Sequence, residues 1–422
     1  MFSYTLTSAH ASIIVTSGWG ARRQYATRHC HRDKLGSVTL SRRVFLASPA
    51  LALAAPLQPR VACIMNTWFP DSHADVFVSR LLDGYRLDRA WHPPRLHVAS
   101  FYVDQFPSND MAREEAEEHG VAIYPTVAQA LRLGGPKLAV DAVAIIGEHG
   151  NYPRTPRGNF MYPRWRYFSE ATQVMRDDGR VIPMYQDKYL AYDWRDARST
   201  YDRVREMHIP FQCGSTVPLA WQRPPLDIPH GTRFSELLTT SYSDLEEHAY
   251  HGIELLQSMA ERRAGAETGV ARVRWCGAAE LGKLAGGEWS QDLLDAALAR
   301  RVNRPPDASQ VPPQAFFIRY RDGLKGAVLH LDPQTRDFLF AARIEGRADP
   351  VATCFYIELY LHNHWGFMVR NFEDLVLTRR NPIPIERTLV ANGIMLAGLE
   401  SRRLGGQWVD TPELGLRYSA SH

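Results

Sequence analysis

From residue 60 to residue 214, short and almost wholly apolar runs alternate with stretches of helical period, and this alternation restricts the fold more than any other property of the chain. Val61-Ala62-Cys63-Ile64-Met65 reads as a buried strand, and 73–85 as a helix with Val76, Phe77, Leu81 and Leu82 on one side. Strands follow at 96–103, 121–124, 139–146, 181–185 and 210–214, with helices at 109–119, 162–178 and 193–208 between them. A strand apolar on both faces needs cover on both faces, which a parallel sheet between two helical layers supplies. The expected fold of this half is an α/β, doubly wound sheet of Rossmann type.

At 422 residues the chain is too long for one core and comfortable for two. Past residue 217 the rhythm changes. A Pro-rich turn, Trp221-Gln222-Arg223-Pro224-Pro225, leads to a strand at 235–242, a helix at 244–262 and a strand at 270–275. Strands at 316–320, 326–331 and 338–344 read as a meander, the first two joined by Arg321-Asp322-Gly323. Two helices, 355–378 and 385–404, close the chain, with Pro384 just ahead of the second. Grouped strands flanked by helices predict a C-terminal α+β domain with a mostly antiparallel sheet. The boundaries fall at 59–217 for the Rossmann-type nucleotide-binding domain and 218–422 for a substrate or oligomerisation domain.

The first residues carry a different message. Ser41-Arg42-Arg43-Val44-Phe45-Leu46 is a twin arginine followed by Phe-Leu and an Ala-rich stretch, with Ala52-Leu53-Ala54 as the small-residue pattern that a signal peptidase needs. Residues 38–58 are expected to be a twin-arginine export signal leading to a periplasmic location, and 1–37 a non-native or disordered extension. No segment is long and apolar enough to predict a membrane span in the mature protein. A formal charge of +3 gives no field for nucleic acid. The five cysteines show no CxxC or CxxH spacing, so no metal site is assigned from them, and Cys63 and Cys213 read as core thiols.

Ligands of an open α/β sheet sit outside the carboxyl ends of its strands. Four loops carrying unusual residues converge there: Asn66-Thr67-Trp68, Asp104-Gln105, Gly147-Glu148-His149-Gly150 and Gln186-Asp187-Lys188. Lys188, on a strand's carboxyl edge, is placed to polarise a substrate oxygen and help move its proton. Glu247 and His251 stand four apart on a helix, a spacing at which a carboxylate orients an imidazole as a base. The Glu148-His149 pair is open to several readings: a substrate contact, a second acid-base group, part of a metal site with His73 or His251, or a helix-capping loop. His362 and His364, on the apolar helix expected at 355–367, read as core residues.

Together, the strand and helix order, the Asp141-Ala142-Val143 strand, Asp187-Lys188-Tyr189 after a strand and Glu247-His248-Ala249-Tyr250-His251-Gly252-Ile253-Glu254 resemble the glucose-fructose oxidoreductase, inositol dehydrogenase and rhizopine-catabolism family. The resemblance runs from about residue 60 to the C-terminus. It implies an NAD(P)-dependent oxidoreductase acting on a sugar, polyol or derivative, with Lys188, His251 and Glu247 as catalytic lysine, histidine and carboxylate. A small carbohydrate-like substrate and a homo-oligomer are implied with it. Cofactor contacts fall to Asn66, Thr67, Ser72, Asp104, Gly147, Glu148, His149 and Asp187, and substrate contacts to Tyr152, Trp221, Arg223 and Glu254. Asp104, which is placed to accept from a ribose hydroxyl, favours NAD over NADP. A periplasmic enzyme would hold that cofactor tightly. A glycosidase or epimerase using transient oxidation is a second reading, and a cofactor-free sugar-binding protein a third.

The chain departs from the family pattern in its first turn. Asn66-Thr67-Trp68-Phe69-Pro70-Asp71-Ser72-His73 contains no glycine, and glycine is what lets a pyrophosphate approach the backbone. Thr67, Ser72 and the helix start remain as phosphate-holding groups. Tyr189 stands where the family has proline, and both aspartates of the helix motif are glutamates.

Overall fold

The structure is a computed structural model that describes residues 58–303, 312–332, 334–381 and 383–420. The expected export signal and N-terminal extension lie outside the described residues. The first half runs β1 (Arg60–Met65), α1 (His73–Asp83), β2 (Tyr85–Leu87), β3 (Ala90–His92), β4 (His97–Val103), α2 (Ala112–Glu118), β5 (Ala122–Ile123) and α3 (Val127–Arg132). It continues through β6 (Ala142–Ile146), α4 (Arg164–Asp178), β7 (Met184–Asp187), α5 (Trp194–Glu206) and β8 (Phe211–Gly214).

Six of these strands form one sheet in the order β5-β4-β1-β6-β7-β8, every neighbouring pair parallel. This is the doubly wound arrangement, with its switch point between β1 and β6. The apolar runs are continuous because both faces are buried. Val61, Cys63 and Met65 face one core with α1, while Ala62 and Ile64 face the other with α3 and α4.

The second half contains β9 (Trp221–Arg223), β10 (Phe234–Ser241), α6 (Leu245–Ala260), β11 (Val270–Gly277), α7 (Ala278–Leu281), α8 (Gln291–Leu298) and β12 (Gln314–Tyr320). It ends with β13 (Lys325–His330), β14 (Phe338–Ile344), β15 (Val351–Tyr356), α9 (Trp365–Thr378), α10 (Ile385–Arg403) and β16 (Val409–Asp410). Its eight strands run in the order β16-β11-β12-β13-β10-β14-β15-β9, and only β10 and β13 pair in parallel. Helices α6 and α10 cover one face through Leu256, Ile253, Val390 and Ile394, and α8 covers the other through Leu293 and Leu294.

Several elements differ from the sequence-based expectation. The helix expected at 355–378 begins only at Trp365, because residues up to Tyr356 pair as β15 and the backbone turns through a left-handed His362 at φ 49°. His362 and His364 therefore sit in the loop ahead of α9. The small β2–β3 hairpin and the one-turn helices were too short to show a period. The strand expected at 181–185 is shifted to Met184–Asp187, since Pro183 has no N–H to donate, and Asp187 lies within the strand.

Helix α9 matters for the site because it returns to the first sheet. Trp365, Met368, Val369 and Phe372 join the core formed by α1 and the odd positions of β1. A buried carboxylate fixes it there: Glu373 accepts from Tyr85 Oη at 2.9 Å, Arg95 Nε at 2.8 Å and the Arg95 backbone N–H at 2.9 Å. Replacing Glu373 by Ala leaves those donors unpaired, so Glu373→Ala is expected to cost about 2–3 kcal/mol in denaturant unfolding. An unchanged midpoint would show that α9 is held by its apolar face alone.

Candidate active site

The carboxyl ends of β1, β6, β7 and β8 meet α6 and the loop before α9 at a cleft of about 300 Å³. Six histidines line it: His73, His149, His248, His251, His362 and His364. Trp365, Tyr242 and Phe338 supply apolar wall.

His73 opens α1, directly after the N-cap Ser72. Its Nδ1 lies 2.6 Å from Asp187 Oδ2, and the other carboxylate oxygen accepts from Tyr185 Oη at 3.1 Å. Asp187 is 1% exposed and His73 is 15% exposed at its side chain. A carboxylate accepts, so the ring donates to it through Nδ1, and in the neutral tautomer that this bond selects Nε2 is the acceptor. Trp365, with ring centroids 4.8 Å away, and His149, at 5.2 Å, fix the ring's plane from the sides.

Behind His73 lies a buried charge cluster. Glu148 accepts from Lys188 Nζ at 3.0 Å and from the Arg164 guanidinium, with all three side chains no more than 3% exposed. Burial alone would neutralise Glu148, but Lys188 and Arg164 override it and hold the carboxyl well below its usual range. Lys188 has a left-handed backbone, φ 57°, and donates also to the Glu247 carbonyl at 3.0 Å. Tyr189, standing where the family has proline, covers the Arg164 guanidinium at 4.0 Å and donates to Glu246 at 2.7 Å. Burial and the neighbouring Glu148 push the Glu246 carboxyl up to about 7.

The expected Glu247–His251 pair does not form. His251 Nδ1 is 2.6 Å from Ser215 Oγ, and Glu247 offers its backbone carbonyl, not its carboxylate, to the site. Glu254, expected to touch substrate, is buried beneath Ser215, whose N–H it accepts at 2.5 Å. Burial raises its carboxyl to about 7 despite the nearby Arg387. Gly214, at φ 113°, packs on that carboxylate with no room for a Cβ. Trp221 and Arg223 lie on the edge strand β9 and line a separate groove with Arg86 and Arg89. Tyr152 is turned away from the cleft, donating to Asp104 at 2.7 Å. Sequence reasoning gave His73 no acid-base role and passed over Arg164, Ser215 and His248; only Tyr185-x-Asp187 on a strand end hinted at the first.

The other histidines are held neutral. Burial lowers His149 to about 4, and burial with the neighbouring Lys188 lowers His248 to about 3. His251 and His364 are pushed far below the ordinary imidazole range, mainly by burial. No group of three or more His, Cys, Asp or Glu among the described residues has the geometry to hold a metal ion.

The residues expected to hold a dinucleotide are brought together at the ends of β1, β4 and β6, but they are engaged with one another. Ser72 Oγ accepts from the Phe69 and Asp75 N–H groups, and Asp75 accepts from the Asp71 N–H at 2.8 Å. The helix start that would face a pyrophosphate thus already carries Asp71 and Asp75. Trp68 fills the turn with 0% exposure, its ring edge against Phe101. Asn66 donates to the His149 carbonyl and accepts from Tyr167, while Asp104 accepts from Tyr102, Tyr152 and Arg166. Gly147 lies against Arg164. Three buried polar atoms here, Thr67 Oγ1, Trp68 Nε1 and His149 Nε2, have no partner, too few and too deep to replace the engaged groups. These residues do not fit a dinucleotide in the family's manner.

No family model matches the chain, and no curated protein matches it. Solved structures do. One is GenD2 from gentamicin A biosynthesis in complex with NAD, at 12% identity and TM-score 0.54 over 89% of this chain and 99% of that one. Another is myo-inositol dehydrogenase from Lactobacillus casei in complex with NAD(H) and myo-inositol, at 12% identity and TM-score 0.55, covering 84% and 97%. The apo scyllo-inositol dehydrogenase of the same organism matches at 10% identity and TM-score 0.55, covering 84% and 98%. At such identities the likeness is one of fold: a Rossmann-type domain followed by a mostly antiparallel sheet domain.

Because His149 is held neutral, its folded pKa of about 4 lies below the ordinary 6.5. Its contribution to stability is full above pH 6.5 and is lost as pH falls through about 4, a difference of about 3 kcal/mol. Thermal melts between pH 7 and pH 4 should show a shallower fall for His149→Asn than for the native chain. Parallel curves would mean that the imidazole is protonated or solvated in the folded state.

Proposed function

We propose that the protein is an enzyme acting on a sugar, polyol or derivative, that the histidine-lined cleft is its active site, and that His73 removes the substrate proton. The observation that carries this reading is the buried Tyr185–Asp187–His73 chain at the carboxyl edge of the sheet. Asp187 fixes the tautomer, leaves Nε2 as acceptor and stabilises the imidazolium formed. The neutral imidazoles of His149, His248 and His251 supply hydrogen bonds to hydroxyl groups without adding charge. The ammonium of Lys188, beside His251 and His248, favours negative charge developing on a substrate oxygen.

Oxidation of a hydroxyl by hydride transfer to NAD(P) is the second reading. It is favoured by the fold shared with proteins whose names include NAD or NAD(H). Such a cofactor would accept the hydride, and His73 would take the hydroxyl proton. The engaged residues of the first turn speak against it, so no step is assigned to the dinucleotide.

The test is a panel of aldoses, ketoses, inositols and keto-inositols, incubated with the purified protein in deuterated buffer and followed by NMR, with and without NAD+. Conversion or C–H exchange of at least one member is expected. His73→Ala should lower the rate about a hundred- to ten-thousand-fold, with Asp187→Asn nearly as severe. Full activity in a folded His73→Ala protein would remove His73 from the chemistry, and inertness toward the whole panel would contradict the substrate class.

A further inference from the structure

We infer that this chain works without a dinucleotide, because its own segment 147–152 occupies the groove that a Rossmann sheet offers to one, and that its reaction is a proton transfer in which the substrate keeps its electrons. The second half of this inference rests on the proposed function; the first stands on the groove alone.

A dinucleotide crosses the carboxyl edge of such a sheet with its pyrophosphate at the start of α1 and its ribose at the end of the neighbouring strand, here β4. Segment 147–152 follows β6 and runs across both places. The His149 carbonyl caps Asn66 at the end of β1. Asn151 exchanges two hydrogen bonds with the Gln105 side chain after β4: its N–H donates to Gln105 Oε1 at 2.8 Å, and its carbonyl accepts from Gln105 Nε2 at 3.1 Å. Tyr152 Oη then donates to Asp104 Oδ2 at 2.7 Å, on the carboxylate that would meet a ribose.

The latch is charge-balanced as it stands. Burial opposes ionisation of Asp104, but hydrogen bonds from Tyr102 and Tyr152 and the Arg166 guanidinium keep its carboxyl low. A ribose hydroxyl would have to displace Tyr152, and a pyrophosphate would meet Asp71, Asp75 and the Trp68 indole. Gly150, at φ 99°, packs against the Tyr152 ring and Gln105 Oε1, where a Cβ would collide. The glycines that a dinucleotide site needs in its first turn are absent, and a glycine serves the latch instead.

Without a hydride acceptor, the chemistry open to the cleft is enolisation. His73 Nε2 takes the proton from a carbon next to a substrate carbonyl, the C–H electron pair moves to form the C=C bond, and the carbonyl pair moves to oxygen, giving an enediolate. The deprotonated carbon bears a hydroxyl, whose proton passes to the former carbonyl oxygen as the His73 imidazolium returns its own proton to the neighbouring carbon. The result is isomerisation, the carbonyl moving by one carbon with nothing oxidised or reduced overall.

The test uses the full chain. Heat-released supernatant is assayed for nicotinamide dinucleotides, and NAD+, NADH, NADP+ and NADPH are each titrated calorimetrically to about 1 mM. The expected result is no released dinucleotide, no saturable binding, and unchanged hydrogen-exchange protection of the Asn151 amide with each nucleotide. Bound dinucleotide in the supernatant, or saturation below that concentration, would overturn the sealed groove. Loss of activity in His73→Ala leaves this result untouched, so the two failures are distinguishable. Whichever sugar the panel yields should be converted at the same rate without NAD+; an absolute requirement for added NAD+ would overturn the electron-neutral reaction.

Discussion

The buried carboxylate of Glu148, shared between Arg164 and Lys188, is the interaction on which the rest of the site depends. It ties the loop after β6 to the start of α4 and to the end of β7, three points more than fifteen residues apart in sequence. Removing one partner from such a cluster leaves an unpaired buried charge, a penalty of about 3–5 kcal/mol. The cluster therefore fixes the path of segment 147–152 as firmly as it fixes Lys188. Sealing the groove and shaping the cleft follow from one carboxylate and its two cations.

That cluster also sets the electrostatics of the histidines. Burial keeps all four of His149, His248, His251 and His364 from gaining a proton, and the buried Lys188 ammonium adds to it at His248 and His251. His73 is given a buried carboxylate at hydrogen-bond distance, 2.6 Å from Asp187 Oδ2. The cleft thus separates a base, backed by Asp187, from neutral groups that bind. Helix α9 completes it from the second half of the chain, bringing Trp365 against His73 and packing into the first core.

Much of the architecture was legible in the sequence because it depends on burial. Strands β1 and β6 are apolar at every position after their first residues, which only a sheet covered on both faces explains. The carboxyl ends of β6 and β7 named Glu148, Asp187 and Lys188 as chemistry-bearing positions. The pairing of His73 with Asp187 was invisible because the two are 114 residues apart and neither shows a local spacing. The Glu247–His251 spacing misled for the opposite reason. Both lie on α6, but Ser215 reaches Nδ1 of His251 first, and the helix turns a carbonyl of Glu247 toward Lys188. The run 355–364 resembled a helix because its Tyr, Leu and His residues fall at helical intervals, whereas β14 claims its first residues as a strand partner.

The claim at the centre of this account is that Asp187 holds His73 with its proton on Nδ1, leaving Nε2 free to accept. Nitrogen-15 NMR of the histidine rings at neutral pH, assigned by comparison with a His73→Gln protein, reads that tautomer directly. An Nδ1–H form is expected for His73, with a strongly deshielded proton shared with Asp187. A ring protonated at Nε2, with Nδ1 bare against the carboxylate, would contradict it.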